Sequence, residues 1–356
     1  MIKSKPLVAA ISRPAPENLF REELMRLDKN ERTTLFTDSE FDALMSTIRP
    51  FDLVAYAELE PTYKSFAKWL LIERNNLLLT FGSDAAIKTI YETFIGEGDE
   101  VINFDPNYAM FSVYAKLFGA KEVVKQYNED FTIDIDSLIN VISEKTKMVI
   151  ISNPGHNGVA TSKESIVKVI ETAAKYDTLV VIDEAYYHFS DVTLIDRINE
   201  NKNIIIVRTL SKAFGLASLR VGYLVACSEL VAEMYRVKLV HEIDGISAKI
   251  SKHMVENTII MENYLNAIKK GHEYLKARFN DMGITFMPSD ANFIYFRINV
   301  NIDPILVIEE LKKKMIYIRT PIRTKPFDSF LRITIGDTGQ MKIFCDVLQD
   351  IFNQHY

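Results

Sequence analysis

An acid and an amine close two neighbouring apolar runs of this sequence. Asp183 ends Leu179-Val180-Val181-Ile182, and Lys212 follows Ile204-Ile205-Ile206-Val207-Arg208-Thr209 within Leu210-Ser211-Lys212-Ala213-Phe214-Gly215. A carboxylate at the end of a buried strand lies at the carboxyl edge of the sheet, where open α/β sheets take their ligands. The next strand of such a sheet brings Lys212 to the same edge. Alone, a strand-end aspartate caps a helix or pairs with a cation, and a lone lysine is a solvated surface group. As a pair they define a site.

An amine kept among apolar groups loses its proton more easily and attacks an aldehyde, which is the chemistry of Schiff-base lysines. Pyridoxal phosphate (PLP) is a coenzyme that carries such an aldehyde. Its pyridine nitrogen draws electrons when protonated, and an ionised Asp183 keeps it so. The coenzyme's phosphate needs its own holder. Leu77-Leu78-Leu79-Thr80-Phe81 runs into Gly82-Ser83-Asp84-Ala85, a strand, a glycine turn and a helix start that presents free amides to an anion. Ser83 or Asp84 as a simple helix cap is the plainer reading of that turn. Arg220 adds a forked cation to the same phosphate, or forms a surface ion pair, while Thr209 and Ser211 offer hydroxyls.

The elements that must position these groups alternate. Apolar runs at 77–81, 101–104, 148–152, 179–183, 204–209 and 221–227 are separated by helical patterns at 85–94, 110–118 and 163–175 and by a short turn at 194–199. That alternation describes a parallel sheet covered on both faces. Beyond it the pattern predicts helices over 228–256, broken near Asp244-Gly245, and over 258–282. A strand at 291–298, a helix at 304–315, strands at 316–319 and 330–335, and a helix reaching Phe352 follow. We expect a large domain at 41–256 and a small α+β domain made of 1–40 and 257–356, since 356 residues exceed a single core.

Composition narrows the partners. A net charge of −6 offers no surplus of Lys and Arg to capture nucleic acid or an anionic membrane, so small molecules are the expected partners. No apolar stretch approaches the roughly 20 residues that span a bilayer. Two cysteines, Cys227 and Cys345, stand too far apart for a CxxC metal or redox motif, and the N-terminus is a poor signal peptide. A soluble, cytoplasmic protein without a metal is expected.

The run Thr209-Leu210-Ser211-Lys212-Ala213-Phe214-Gly215-Leu216-Ala217-Ser218-Leu219-Arg220-Val221-Gly222-Tyr223 resembles the lysine segment of the PLP-dependent aminotransferases of fold type I. The histidinol-phosphate aminotransferase branch is the most similar, over nearly the whole chain. That resemblance implies an α/β fold whose large domain is an α/β/α layer around a mainly parallel sheet, beside a smaller α+β domain. It implies Lys212 as the Schiff-base lysine and proton shuttle, and Asp183 as partner of the pyridine nitrogen. Tyr186 and Asn153 would meet the ring's phenolic oxygen and Tyr108 would stack on the ring. Ser83, Asp84, Thr209, Ser211 and Arg220 would surround the phosphate. Tyr56 matches a tyrosine that reaches that phosphate from a second subunit, so a homodimer is implied.

On the substrate side, Arg332 in Phe330-Leu331-Arg332-Ile333-Thr334 resembles the arginine that grips an α-carboxylate. Arg319 matches a residue for a distal phosphate, with Arg323 as the alternative, and Asn30 belongs to a segment that closes over substrate. The expected activity moves an amino group from an amino acid such as glutamate to a small phosphorylated carbonyl compound. Decarboxylation of O-phosphoserine or O-phosphothreonine is the alternative, and a non-catalytic PLP-binding protein a third. Two segments depart from the family. Asn153-Pro154-Gly155-His156-Asn157-Gly158-Val159 replaces Asn-Pro-Asn-Asn-Pro-Thr-Gly, and Arg32 follows Glu31 where the branch has asparagine then proline. His156 thereby becomes a candidate for meeting substrate, or a loop histidine facing solvent.

Overall fold

The computed structural model describes residues 2–12, 20–298 and 302–355; the parts of the expected small domain at 1, 13–19, 299–301 and 356 lie outside the described residues. Its strands, in chain order, are β1 (Met25–Leu27), β2 (Leu77–Phe81), β3 (Glu100–Asp105), β4 (Lys121–Gln126), β5 (Thr146–Ser152) and β6 (Leu179–Asp183). Then come β7 (Ile204–Thr209), β8 (Val221–Ala226), β9 (Thr285–Phe286), β10 (Phe293–Arg297), β11 (Ile316–Ile318) and β12 (Leu331–Thr334). Seven of them form the main sheet, in the order β2-β8-β7-β6-β5-β3-β4. Only β8 runs antiparallel to its neighbours there.

Alternate residues of these strands serve two different cores. On β6, Val180 and Ile182 join one cluster while Leu179 and Val181 join the other; on β7, Ile204 and Ile206 part from Ile205 and Val207 in the same way. Both faces are therefore covered, which is why these strands read as unbroken apolar runs. Helix Lys163–Ala174 covers one face through Ile166, Val169 and Ile170, and helix Gly82–Phe94 covers the other through Ile87 and Ile90.

The C-terminal part has its own sheet, β12-β10-β9, and a third core that includes Phe279, Phe296, Ile333 and Phe344. The N-terminal segment is tied to it by β1, which pairs in parallel with β11, Leu27 against Ile318.

Most expected elements are present within a residue or two. The helical stretch expected over 228–256 with a break near Asp244-Gly245 is two helices, Ser228–Tyr235 and Gly245–Glu256; the first ends earlier than that break, and Asp244 caps the second through the Ser247 amide. The apolar pattern continues across the gap as Val237, Leu239 and Val240, but these side chains face out. Strand β4 was not expected; its sequence, Lys-Glu-Val-Val-Lys-Gln, is polar because it forms the edge of the sheet.

Candidate active site

Five sheet ends converge on one cavity of about 330 Å³. Ser152, Asp183 and Thr209 terminate β5, β6 and β7; Ser83 and Asp84 follow β2; Asn107 and Tyr108 follow β3; and all line it. The ladder register puts Ser152 beside Asp183 and Thr209 beside Gly222, so the lining is set by strand pairing. Lys212, Arg220 and Tyr186 line the same space, as do Asn30, His156, Arg319 and Arg332.

At one part of the cavity the chain builds an anion cup. Helix Gly82–Phe94 points its first amides there, and Arg220 reaches across it, donating to Ser211 Oγ at 3.3 Å and to Asp84 at 3.3 Å. Ser211 Oγ lies 3.0 Å from Thr209 Oγ1. Two glycines make the cup possible. Gly82 has φ +71, and a Cβ on Gly222 would stand 2.4 Å from Gly82 C and Ser83 N. Strand β8 thus packs directly on the turn, and Arg220, itself left-handed at φ 52, enters from its start.

Asp183 is buried, with its Oδ1 accepting the Ala185 amide at 3.1 Å. Burial first, then the nearby Asp84 charge, pushes its carboxyl up to about 7, against the pull of Ala185 and Lys212. Lys212 is half-buried and donates from Nζ to the Lys29 carbonyl at 3.0 Å, its ammonium 5.8 Å from the Tyr186 ring. Tyr108 donates its hydroxyl to Asp84 at 2.5 Å. Burial and that carboxylate raise the phenol's pKa, so the ring stays neutral.

A second charged group stands on the other sheet system. Arg332 projects from β12 and is buried, its Nη2 donating to the Asp28 carbonyl at 3.3 Å and its Nε without a partner among the described residues. The Arg319 amide donates to the Arg332 carbonyl at 3.1 Å, which holds the two arginines side by side. Loss of water and the Arg332 charge lower the pKa of Arg319. His156 shares this end: burial, then Arg332 and Arg319, hold its imidazole well below the usual range, so it is neutral at pH 7. Two crowded guanidiniums beside a neutral imidazole form a site that an anion relieves.

Three expected residues stand apart from the cavity. Asn153 is fully buried, and its amide is consumed by Thr161, accepting from N at 2.7 Å and donating to O at 3.3 Å. In this chain the loop's cavity-lining members are Pro154, Gly155 and His156. Arg323 is exposed and does not line the cavity. Tyr56 is 78% exposed, stacked 4.0 Å from the His241 ring. Conversely, Ser152, Asn107 and the Lys29 carbonyl were not expected there. Ser152 was legible as the end of an apolar run, whereas a backbone carbonyl leaves no mark on a sequence.

The model of aminotransferase class I and II matches residues 51–348. The chain belongs to that family. It is 32% identical to the histidinol-phosphate aminotransferase of Thermoanaerobacter pseudethanolicus, covering 90% of this chain and 95% of that one. To the enzyme of the same name from Thermococcus gammatolerans it is 28% identical, over 92% of each chain. Its fold matches that of histidinol-phosphate aminotransferase from Sinorhizobium meliloti in complex with pyridoxal-5'-phosphate, with a TM-score of 0.88 at 21% identity and 99% of both chains covered. This aminotransferase is therefore a PLP enzyme of fold type I, and the comparisons do not favour the decarboxylase alternative.

The residues fit that coenzyme. The cup supplies free amides, two hydroxyls and Arg220 for a phosphate. A pyridinium would offset the cost of the buried Asp183 charge, and the cavity volume lies in the small-ligand range.

Proposed function

We propose that this aminotransferase moves an amino group between an amino acid and a small phosphorylated carbonyl compound, using Lys212 as its Schiff-base lysine. The observation that carries the reading is the pair Arg319 and Arg332, joined through one backbone bond and facing the cavity that Lys212 shares. Arg332, buried and with a free Nε, suits a carboxylate gripped by a planar fork; Arg319, nearer solvent, suits a distal phosphate. The histidinol-phosphate aminotransferases to which the chain is similar agree with such a substrate.

When bound, PLP supplies an aldehyde and an electron-withdrawing ring. Asp183 would hold a proton on the ring nitrogen, and the backbone amides of Ser83 and Asp84 with Thr209, Ser211 and Arg220 would hold the phosphate end. Tyr108 would cover the ring and Tyr186 would donate to its oxygen. Lys212 Nζ, which lines the same cavity, would hold the coenzyme and carry a proton to and from the substrate Cα. His156, neutral, donates or accepts a hydrogen bond at the anionic end.

The reading includes the division into 41–256 and 1–40 with 257–356, supported by the separate C-terminal core and by the pairing of β1 with β11. It includes a homodimer in which Tyr56 serves the partner's phosphate. Exposed Phe51, Leu53 and Val54 beside it, with Leu239 and Val240, give a second copy apolar surface to cover. A cytoplasmic setting fits two free, buried cysteines and the lack, among the described residues, of a helix able to cross a membrane.

Glutamate added to the PLP-loaded protein should convert its visible absorbance to that of the aminated coenzyme, and histidinol phosphate should do the same from the other half-reaction. Conversion by amino acids but by no phosphorylated amine would overturn the phosphate assignment to Arg319.

A further inference from the structure

Asn30 lines the cavity and also acts on it through another residue. It is 2% exposed and left-handed at φ 56. Its amide N–H donates to Thr334 Oγ1 at 3.0 Å, its Oδ1 accepts from the same Oγ1 at 3.0 Å, and its carbonyl accepts from Asn292 Nδ2 at 3.1 Å. Its remaining group, Nδ2, donates to Tyr186 Oη at 2.9 Å.

Counting protons fixes the direction of this chain. Thr334 has one hydroxyl proton and is 1% exposed. Its Oγ1 already accepts the Asn30 N–H, so its proton goes to Asn30 Oδ1 and both groups are satisfied. Turning the Asn30 amide over would give Thr334 two donors and leave its own proton buried with no acceptor, a cost of about 1–3 kcal/mol. With Nδ2 held against it, Tyr186 Oη must accept there, and its single proton is left to point elsewhere.

We propose that Asn30 and Thr334 are positioning residues that commit the Tyr186 hydroxyl proton to the cavity, where it donates to the ring oxygen of the coenzyme. The proposal rests on the reading of Lys212 and Tyr186 as coenzyme ligands, and gives Asn30 a role that does not involve the substrate. Two features support it. Tyr186 lines the cavity on the side of Lys212, its ring packed 5.3 Å from Phe293, so its hydroxyl is not free to wander. The same short segment also supplies the Lys29 carbonyl to Lys212, so one loop addresses both groups.

A hydroxyl held as a donor stabilises the ring oxygen as an anion, which lowers the pH at which the Lys212-linked coenzyme loses its proton. The test is the pH midpoint of that form's visible absorbance in the loaded protein. Asn30→Gly keeps the left-handed backbone, removes the amide and adds no charge. It should raise the midpoint by about one pH unit in the parent and leave it unmoved in a Tyr186→Phe background. Asn30→Asp keeps the side-chain shape and offers Tyr186 an acceptor instead; its shift should be larger in the parent than in Tyr186→Phe, where only its charge acts. Equal shifts in both backgrounds, or none in either, would overturn the proposal, whatever the variants do to stability in urea. If the unsubstituted protein showed no such band, or Lys212→Ala kept it, the reading of Lys212 itself would fall and the proposal with it.

Discussion

At the scale of single residues, Asp183 shows the cost of a buried carboxylate that a coenzyme would offset. Its folded pKa of about 7 stands above the ordinary 3.8 because burial penalises the ion. The folded chain therefore keeps this proton through a pH range where the unfolded chain has released it, and the residue costs stability increasingly as pH rises from about 4 to 7. Coenzyme-free Asp183→Asn should be more stable than the parent in urea, by a margin growing to a few kcal/mol at pH 8 and clearly smaller at pH 5. An equal margin at both pH values would refute the assignment. In the loaded protein the same substitution should sharply reduce turnover. Asp183 was legible because it ends an apolar run, and Lys212 because it follows the next one within three residues. His156 and Asn153 were not, because the chain traces of both pass the cavity and only packing decides which side chain enters. Asn153 turns to Thr161, and the imidazole takes the place at the cavity wall.

Among elements, the strand-turn-helix at Gly82 depends on a neighbour that sequence separation hides. Gly222 on β8 leaves room for the Gly82–Ser83 backbone, and a methyl group there would stand 2.4 Å from it. Gly222→Ala should push the helix start away from Arg220 and weaken PLP binding to the coenzyme-free protein at least tenfold, about 1.4 kcal/mol, in a fluorescence titration. Affinity within twofold of the parent would show that the cup tolerates the shift. Buried strands were readable from their apolar runs. Edge strand β4 was not, since a strand with one neighbour and a solvated face needs no apolar stretch. Nor was the break between helices Ser228–Tyr235 and Gly245–Glu256 fully placed, because apolar residues there continue the helical pattern while facing outward.

For the whole molecule, those outward-facing residues motivate the proposed dimer. Val240 is 82% exposed and Val54 83%, near Tyr56, which stands too far into solvent to serve a site of its own chain. Val240→Glu should shift the protein toward monomer in sedimentation velocity and weaken PLP binding in parallel, since Tyr56 would lose its partner's phosphate. A stable dimer with unchanged affinity would place the interface elsewhere. The sequence by itself determined the α/β class, the covered parallel sheet, the acid and amine at its edge and the family to which they belong, because burial on two faces and strand-end chemistry both leave local patterns. Only the tertiary structure decided which side chains face the cavity, that Arg319 and Arg332 stand together beside a neutral His156, and that Asn30 holds Tyr186. Those depend on hydrogen bonds and packing between segments up to 304 residues apart, and no local pattern encodes them.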